Sequence, residues 1–486
     1  MSIRTRALSA LTVAVALTLS GCGTTTPAAR SADDNAAVVH ATPTPSGKTP
    51  LGGPAATPTS KAPRHTPGPG SLPVTPAPSG KAKLALATPG KKGGPAEATT
   101  PALTLASYDQ GTGRAVLEPA KDAPAPNDRG NTAGAQVRPG QLIDSPPTPA
   151  APRGALLAVT DVKPADGGKT VVSTRPATLP ELLGESSASL RTALDPRSIE
   201  VKPEVKDLKV SFTKRADGGE GSVSGGLKLD ADTTVPLPHG TSVKLVGSIE
   251  LDPTIDFSYQ GAVLSPKQAS VGFDLDARAS WRVGAAVTAP TQPIRIPLAK
   301  LMSSPVVMVG PLPVVINLDL TLYATIGVDG KVTIDVQQQI AGSWGIHSDY
   351  TKADGWNTDV DPGTLTVSPV RATLAGTASV RTGLDIEGSV ALYDAVGLKA
   401  TITPYLRTAV EGSVTIDTSD ATPVVTGKAG LYGGIDIKGA LMARIAIFGT
   451  PLFEKELPFP IYQREWPLAT YSTPGGATAS PQPTRR

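Results

Sequence analysis

Alternation of apolar and polar residues with a period of two is the feature that most limits what this chain can fold into. Val314, Ile316, Leu318, Leu320, Leu322, Ala324 and Ile326 share one parity, while Asn317, Asp319, Thr321 and Thr325 take the other. Successive side chains of an extended chain point to opposite faces, so this stretch is a strand with one dry and one wet side. A helix of 3.6 residues per turn would scatter the same apolar residues around its circumference. The pattern resumes after Asp329-Gly330 at Val332, Ile334, Val336 and Ile340. Residues opposed across a hairpin share a face. Ile326 opposite Val332 therefore predicts a turn of three residues, with Gly330 in the left-handed conformation.

The same alternation recurs over residues 243–251, 271–283, 370–380, 384–392, 398–406, 410–416 and 431–447, with a second turn expected near Thr382-Gly383. Inward glycines such as Gly376, Gly388, Gly433 and Gly439 suit long strands that twist sharply or pack closely. Helical signals are confined to residues 180–194, where a short helix is expected. The fold class is all-β: long, twisted antiparallel strands with one wet face, forming a large β-sandwich or one coiled sheet wrapped on itself. Shorter apolar runs at 115–117, 141–143, 155–159 and 170–174 predict a smaller N-terminal β subdomain.

Composition sets the boundaries. Gly 50 and Pro 49 are unevenly placed, and proline crowds with Thr, Ala and Gly into the first third. Residues 22–102 contain few large apolar side chains and no period, so they bury too little surface to offset the entropy of ordering. They read as a disordered tether, spanning about 50 Å as a coil or about 250 Å if polyproline-like. The small subdomain is placed at 103–194, the large antiparallel domain at 195–471, and a disordered tail at 472–486. Net charge of +3 gives no electrostatic basis for nucleic-acid binding.

Cys22 is the sole cysteine. It follows Arg4 and Arg6, an apolar run of about 13 residues from Ala7 to Leu19, and then Ser20-Gly21. Such a run is too short to span about 30 Å of hydrocarbon as a helix, and it has the anatomy of a secretory signal. Leu19-Ser20-Gly21-Cys22 resembles the lipobox of bacterial lipoproteins. That resemblance implies cleavage between Gly21 and Cys22, diacylglycerol on the Cys22 thiol, and a chain held on the outer face of the bacterial cell membrane. Two or three acyl chains, at about 0.8 kcal/mol per buried CH₂, give stable attachment.

Further motifs are Arg138-Pro-Gly-Gln-Leu-Ile-Asp-Ser-Pro-Pro147, the runs 154–162 and 174–179, Pro311-Leu-Pro-Val-Val315, Gly355-Trp356, Leu392-Tyr393, Leu431-Tyr-Gly-Gly434 and Phe448-Gly449. Together they resemble a β-rich module of exported actinobacterial proteins, over about 330 residues. The resemblance supports the boundaries and assigns no catalytic residue.

Little in the sequence carries catalytic chemistry. There are four histidines; His40 and His65 lie in the tether, leaving His239, read as a turn residue, and His347, read as a strand-end surface residue. No HExxH or Gly-x-Ser-x-Gly motif occurs, and Gly168-Lys169-Thr170 lacks the earlier glycine of a phosphate loop. Asp354, Asn357, Asp359 and Asp361 could hold Ca²⁺ through oxygen ligands, or simply build a turn. Trp281, Trp344, Trp356 and Trp466 fit core or strand-end packing better than sugar stacking.

The expected protein is thus a non-catalytic, membrane-tethered head that binds a cell-wall polymer, a lipid or another protein. The rival classes are a lipid carrier with an apolar groove and a polysaccharide-acting enzyme with two facing carboxylates. A transmembrane β-barrel is disfavoured by the few aromatics.

Overall fold

A computed structural model describes residues 71–78, 80–121, 137–214, 225–236, 242–262, 266–287, 291–394, 396–417, 424–442 and 459–472, all within the compact unit Thr66–Arg486. In chain order, the first strands are β1 (Val74–Pro76), β2 (Ala85–Thr88), β3 (Glu97–Thr99), β4 (Leu103–Asp109), β5 (Arg114–Pro119), β6 (Leu142–Ser145), β7 (Ala155–Pro164) and β8 (Thr170–Pro176). Helix α1 (Leu179–Leu183) follows, then β9 (Ser187–Ala193), β10 (Glu200–Pro203), β11 (Lys209–Lys214), β12 (Gly225–Pro236), β13 (Ser242–Gly261) and β14 (Pro266–Val287). The last are β15 (Thr291–Ser303), β16 (Val306–Val309), β17 (Leu312–Thr351), β18 (Gly355–Leu392), β19 (Val396–Asp417), β20 (Val424–Met442) and β21 (Phe459–Ser472).

The protein is all-β, and among the described residues its strand pairs are antiparallel, in two sheets. A 7-stranded sheet runs β3-β2-β6-β7-β8-β5-β4. A 14-stranded sheet runs β11-β12-β13-β14-β17-β18-β19-β20-β21, with β9 added to β13, β15 and β16 to β17, β10 to β15 and β1 to β16. The small sheet starts at Ala85, inside the 22–102 segment that composition assigns to the tether. There Leu84, Ala85, Leu86 and Ala87 form a continuous buried run too short to show a period among prolines. Residues 180–194 are helical only at their start. A Thr178–Glu181 capping box opens α1 and Gly184, at φ 57°, ends it. From Ser187 the chain extends and pairs with β13, so this stretch joins the large sheet.

Neither expected turn forms. Residues 312–351 are one strand of 40 residues, in which Asp329 faces Ser379 and Gly330 faces Ala378. Thr382 and Gly383 likewise lie inside β18, opposite Ile326 and Thr325. Ile326 and Val332 share a face because the strand never stops: even positions stay buried from Val314 to Ser348 apart from Gly330 and Gly342. The actual reversal is at residues 352–354, closing Thr351 onto Gly355.

A straight strand of 40 residues would reach about 130 Å, far beyond a compact unit of this size. The right-handed twist accumulates instead, and the sheet folds over on itself. Both β15 and β14 lie along the same edge of β17, β15 over residues 318–328 and β14 over 332–351. Phe273 of β14 is paired in the sheet with Ile346, yet its ring stands against Gly388, which is paired with Leu320. A Cβ on Gly388 would come 2.6 Å from Phe273 Cζ. The two halves of β17 and β18 therefore face each other across one apolar core. This is the coiled alternative rather than two independent sheets. The ends of the order, β11 and β21, are not paired with one another.

The small sheet has its own core of Leu86, Leu105, Leu117, Ile143, Leu157 and neighbours. It packs on the large sheet through Ala87, Leu142, Leu156 and Ala158, which belong to the large sheet's apolar core, and through polar contacts as well. Arg153 donates to both oxygens of Asp319, at 2.8 and 2.7 Å, and lies 3.5 Å from Asp394. Asn317, fully buried, donates to the Arg153 carbonyl oxygen and to Ser304 Oγ, and accepts from the Asp394 backbone N–H at 2.6 Å.

Candidate functional site

Cys22 and Gly21 lie outside the described residues, as does His239. Asp354, Asn357, Asp359 and Asp361 do not form one loop. Asp354 closes the 352–354 turn, its N–H donating to Thr351 Oγ1 at 3.0 Å. Asn357, Asp359 and Asp361 follow on β18 at alternate positions, exposed on one face and opposite Asp349, His347 and Gly345. Alternate residues of a strand stand about 6.6 Å apart, too far to share one ion without the chain curling around it. Among the described residues no group of three or more His, Cys, Asp or Glu side chains is close enough to hold a metal ion.

His347 is within β17, not at a strand end. Its ring covers Gly272, where a Cβ would meet His347 Cδ2 at 2.3 Å, and its Nε2 lies 3.7 Å from Asp274 Oδ1. Arg191 makes a 2.6 Å charge contact with Asp274 Oδ2, at an angle poor for a hydrogen bond. Burial raises the neighbouring Asp256 carboxyl above its ordinary range, against the pull of His347 and Arg191. These groups lie across the strands of an outer sheet face and point outward together.

Elsewhere on the outer face, tyrosines are covered by arginines. Arg295, Arg381 and Arg407 stack on Tyr323, Tyr405 and Tyr432 at 3.9, 3.5 and 4.0 Å from the ring centres. Each arginine is held by an acid, Asp385, Asp436 and Glu465 respectively. One face of each ring is thereby covered. Trp281 and Trp344 are buried, Trp466 packs on the core edge, and Trp356 meets Tyr350 in a tilted arrangement with ring centres 5.4 Å apart.

The wrap of the large sheet produces a different feature. Where β12, β13 and β14 face β15, β17 and β18, a narrow apolar cleft of about 30 Å³ remains. Leu229, Leu245, Trp281 and Val283 line one side, and Ala324 and Leu384 the other. Gly247 allows the close approach, since a Cβ there would meet Trp281 Cβ at 2.7 Å. Leu208 leads from the cleft to edge strand β11, whose Phe212 is 51% exposed although it pairs with the buried Leu227.

Beside the cleft, Gln338 pairs with Trp281 across the β14–β17 ladder. It is fully buried, and both of its amide atoms lack a partner among the described residues. Burying an unpaired amide costs about 1–3 kcal/mol. In the sequence, this signal was visible as a polar residue at an inward position between Val336 and Ile340. That the Leu245 and Ala324 stripes would face each other was not visible, because alternation gives faces and not the fold of a sheet.

We find no protein family, characterised protein or solved structure that matches the chain.

Proposed function

We propose that this protein is a lipid-anchored, non-catalytic binding protein of the bacterial cell envelope. The observation that carries the reading is Cys22, the sole cysteine, placed directly after Leu19-Ser20-Gly21 and a short apolar run. A head stabilised by apolar burial and strand pairing needs no disulfide in an oxidising compartment, which agrees with a chain that keeps cysteine only at that position. The Pro/Thr-rich segment then carries the β head away from the bilayer. Metabolic labelling with a palmitate analogue tests this: wild type takes up label and partitions with membranes, and Cys22→Ser loses both. Unchanged labelling of Cys22→Ser would end the reading.

The cleft and the buried Gln338 amide favour a lipid as the ligand of the head. The apolar cleft would have to part to admit a single methylene chain, each buried CH₂ then contributing about 0.8 kcal/mol, and an amide at its side suits the one polar group such a chain carries. Native mass spectrometry of the full-length protein after incubation with fatty acid or phospholipid vesicles reads this directly. A bound lipid that Leu245→Trp displaces is the expected result. No bound species in the wild type removes the lipid and leaves a wall polymer or protein as the partner.

A further inference from the structure

The joint between the small sheet and the large one contains a buried carboxyl with unusual neighbours. Asp144 of β6 is 0% exposed and Tyr393, in the turn between β18 and β19, is 6% exposed. Tyr393 Oη lies 2.7 Å from Asp144 Oδ1 and 2.5 Å from the Pro313 carbonyl oxygen. A phenol has one hydrogen and can donate once. Were Asp144 ionised, both neighbours of Oη would be pure acceptors, and one would face it lone pair to lone pair. A protonated Asp144 removes the conflict. Its O–H donates to Oη, whose own hydrogen goes to Pro313, and the three oxygens form one directed chain.

The surroundings of Asp144 point the same way. Asp144 Oδ2 has no partner among the described residues, a deficit that a full negative charge makes far more costly than a neutral acid does. The charged groups at the joint are already engaged: Arg153 is held by Asp319 and Asp394. Within its own sheet Asp144 is flanked by Ala85 of β2 and Leu156 of β7, and neither can ionise. The turn that presents Tyr393 is itself constrained, with Tyr393 and Asp394 in the left-handed region at φ 49° and 57°.

We propose that Asp144 is a neutral carboxylic acid that bolts the small sheet to the large one, and that its ionisation as pH rises loosens this joint. Burial pushes the Asp144 carboxyl well above the usual range, while Tyr393 pulls it the other way. Burial, then the neighbouring Asp144, keeps the Tyr393 phenol protonated far into alkali. The sign follows. An undocked Asp144 releases its proton near pH ~4, whereas the docked one retains it. Docking is strongest below that pH, weakens by about tenfold per pH unit above it, and levels off past the raised value.

Hydrogen exchange by mass spectrometry on the full-length protein, from pH 5 to pH 8, tests the proposal. Protection factors of peptides spanning 142–145 and 312–318 should fall about tenfold per pH unit in the wild type until the raised value is passed, and level off beyond it. They should stay level in Asp144→Asn, whose carboxamide donates to Tyr393 Oη at every pH. An Asp144→Asn slope matching the wild type would overturn the proposal. Should that variant fail to fold, the wild type alone decides by infrared spectroscopy. A protonated-carboxyl band at pH 7 that disappears in alkali is expected, and its absence at pH 7 would equally overturn the assignment.

Discussion

Placing alanine at Gly388 probes whether the large sheet is truly folded over. A new Cβ would stand 2.6 Å from Phe273 Cζ and 3.1 Å from Leu320 Cδ2, inside the contact optimum of about 3.5–4.0 Å. Overpacking of this kind costs about 1–3 kcal/mol, partly offset by the 0.4–1 kcal/mol or so that a less flexible unfolded chain returns. Gly388→Ala should therefore lose about 1–2 kcal/mol. Phe273→Ala, at a fully buried ring, should lose about 3–5 kcal/mol. In the double variant the alanine methyl enters space the ring has left, so the second substitution becomes neutral or favourable. The coupling between the two sites should be about 1–3 kcal/mol, read from guanidinium denaturation of all four proteins with matched slopes. Were the sheet flat, the two residues would be separated by roughly the distance from Leu320 to Ile346 along β17, about 85 Å. No coupling survives such a distance. Costs that add to within about 0.5 kcal/mol would refute the wrapped sheet.

Two further outcomes follow from the long strands. Gly376 has φ 140°, and a Cβ there would meet the Lys331 carbonyl oxygen at 2.1 Å, so Gly376→Ala should cost about 1–3 kcal/mol in thermal unfolding. Gly167, also at positive φ but with open space around it, should lose less on the same change. Burial, then the charge of Asp436, raises the Tyr405 phenol to about 12. Alkaline ultraviolet titration should show a step near that value that Tyr405→Phe removes. Because the folded state favours the neutral phenol, this contribution to stability is intact below about pH 10 and is lost as pH climbs towards 12.

The fold class was legible because alternation is a local property. Val314 to Ile326 dictates a half-buried strand whatever surrounds it. Turn positions were less legible. Asp329-Gly330 and Thr382-Gly383 carry turn chemistry, but they face Ser379-Ala378 and Ile326-Thr325 inside continuous strands. Matching parity on both sides of Gly330 was the signal for an unbroken strand, and it served equally well for a three-residue hairpin. Glycine is needed there for a different reason, since at φ 124° its Cβ position would lie 2.3 Å from the Thr377 carbonyl oxygen. The acidic run at 354–361 looked like one loop, yet only Asp354 belongs to the turn, because alternate acids are also what an exposed strand face requires. Asp144 and Tyr393, 249 residues apart in sequence, carried no local sign of their contact.

The two longest strands link these features. Along β17, Pro313 accepts from Tyr393 at one end, Ala324 lines the cleft, and Gln338 sits beside it further on. Along β18, Leu384 lines the cleft and Gly388 receives the Phe273 ring shortly before the turn that holds Tyr393. Close-packed interiors transmit displacement rather than absorb it. A shift of the Tyr393 turn when Asp144 ionises would therefore act along β18, on which Leu384 lies about 30 Å of extended chain away. If the cleft holds a lipid, its occupancy and the Asp144 proton are then linked, and by reciprocity each must alter the affinity for the other by the same factor. Lipid binding measured at pH 5 and pH 8 in wild type and Asp144→Asn separates the cases. Equal affinities in the wild type at both pH values would mean that joint and cleft are energetically independent, whatever strands they share.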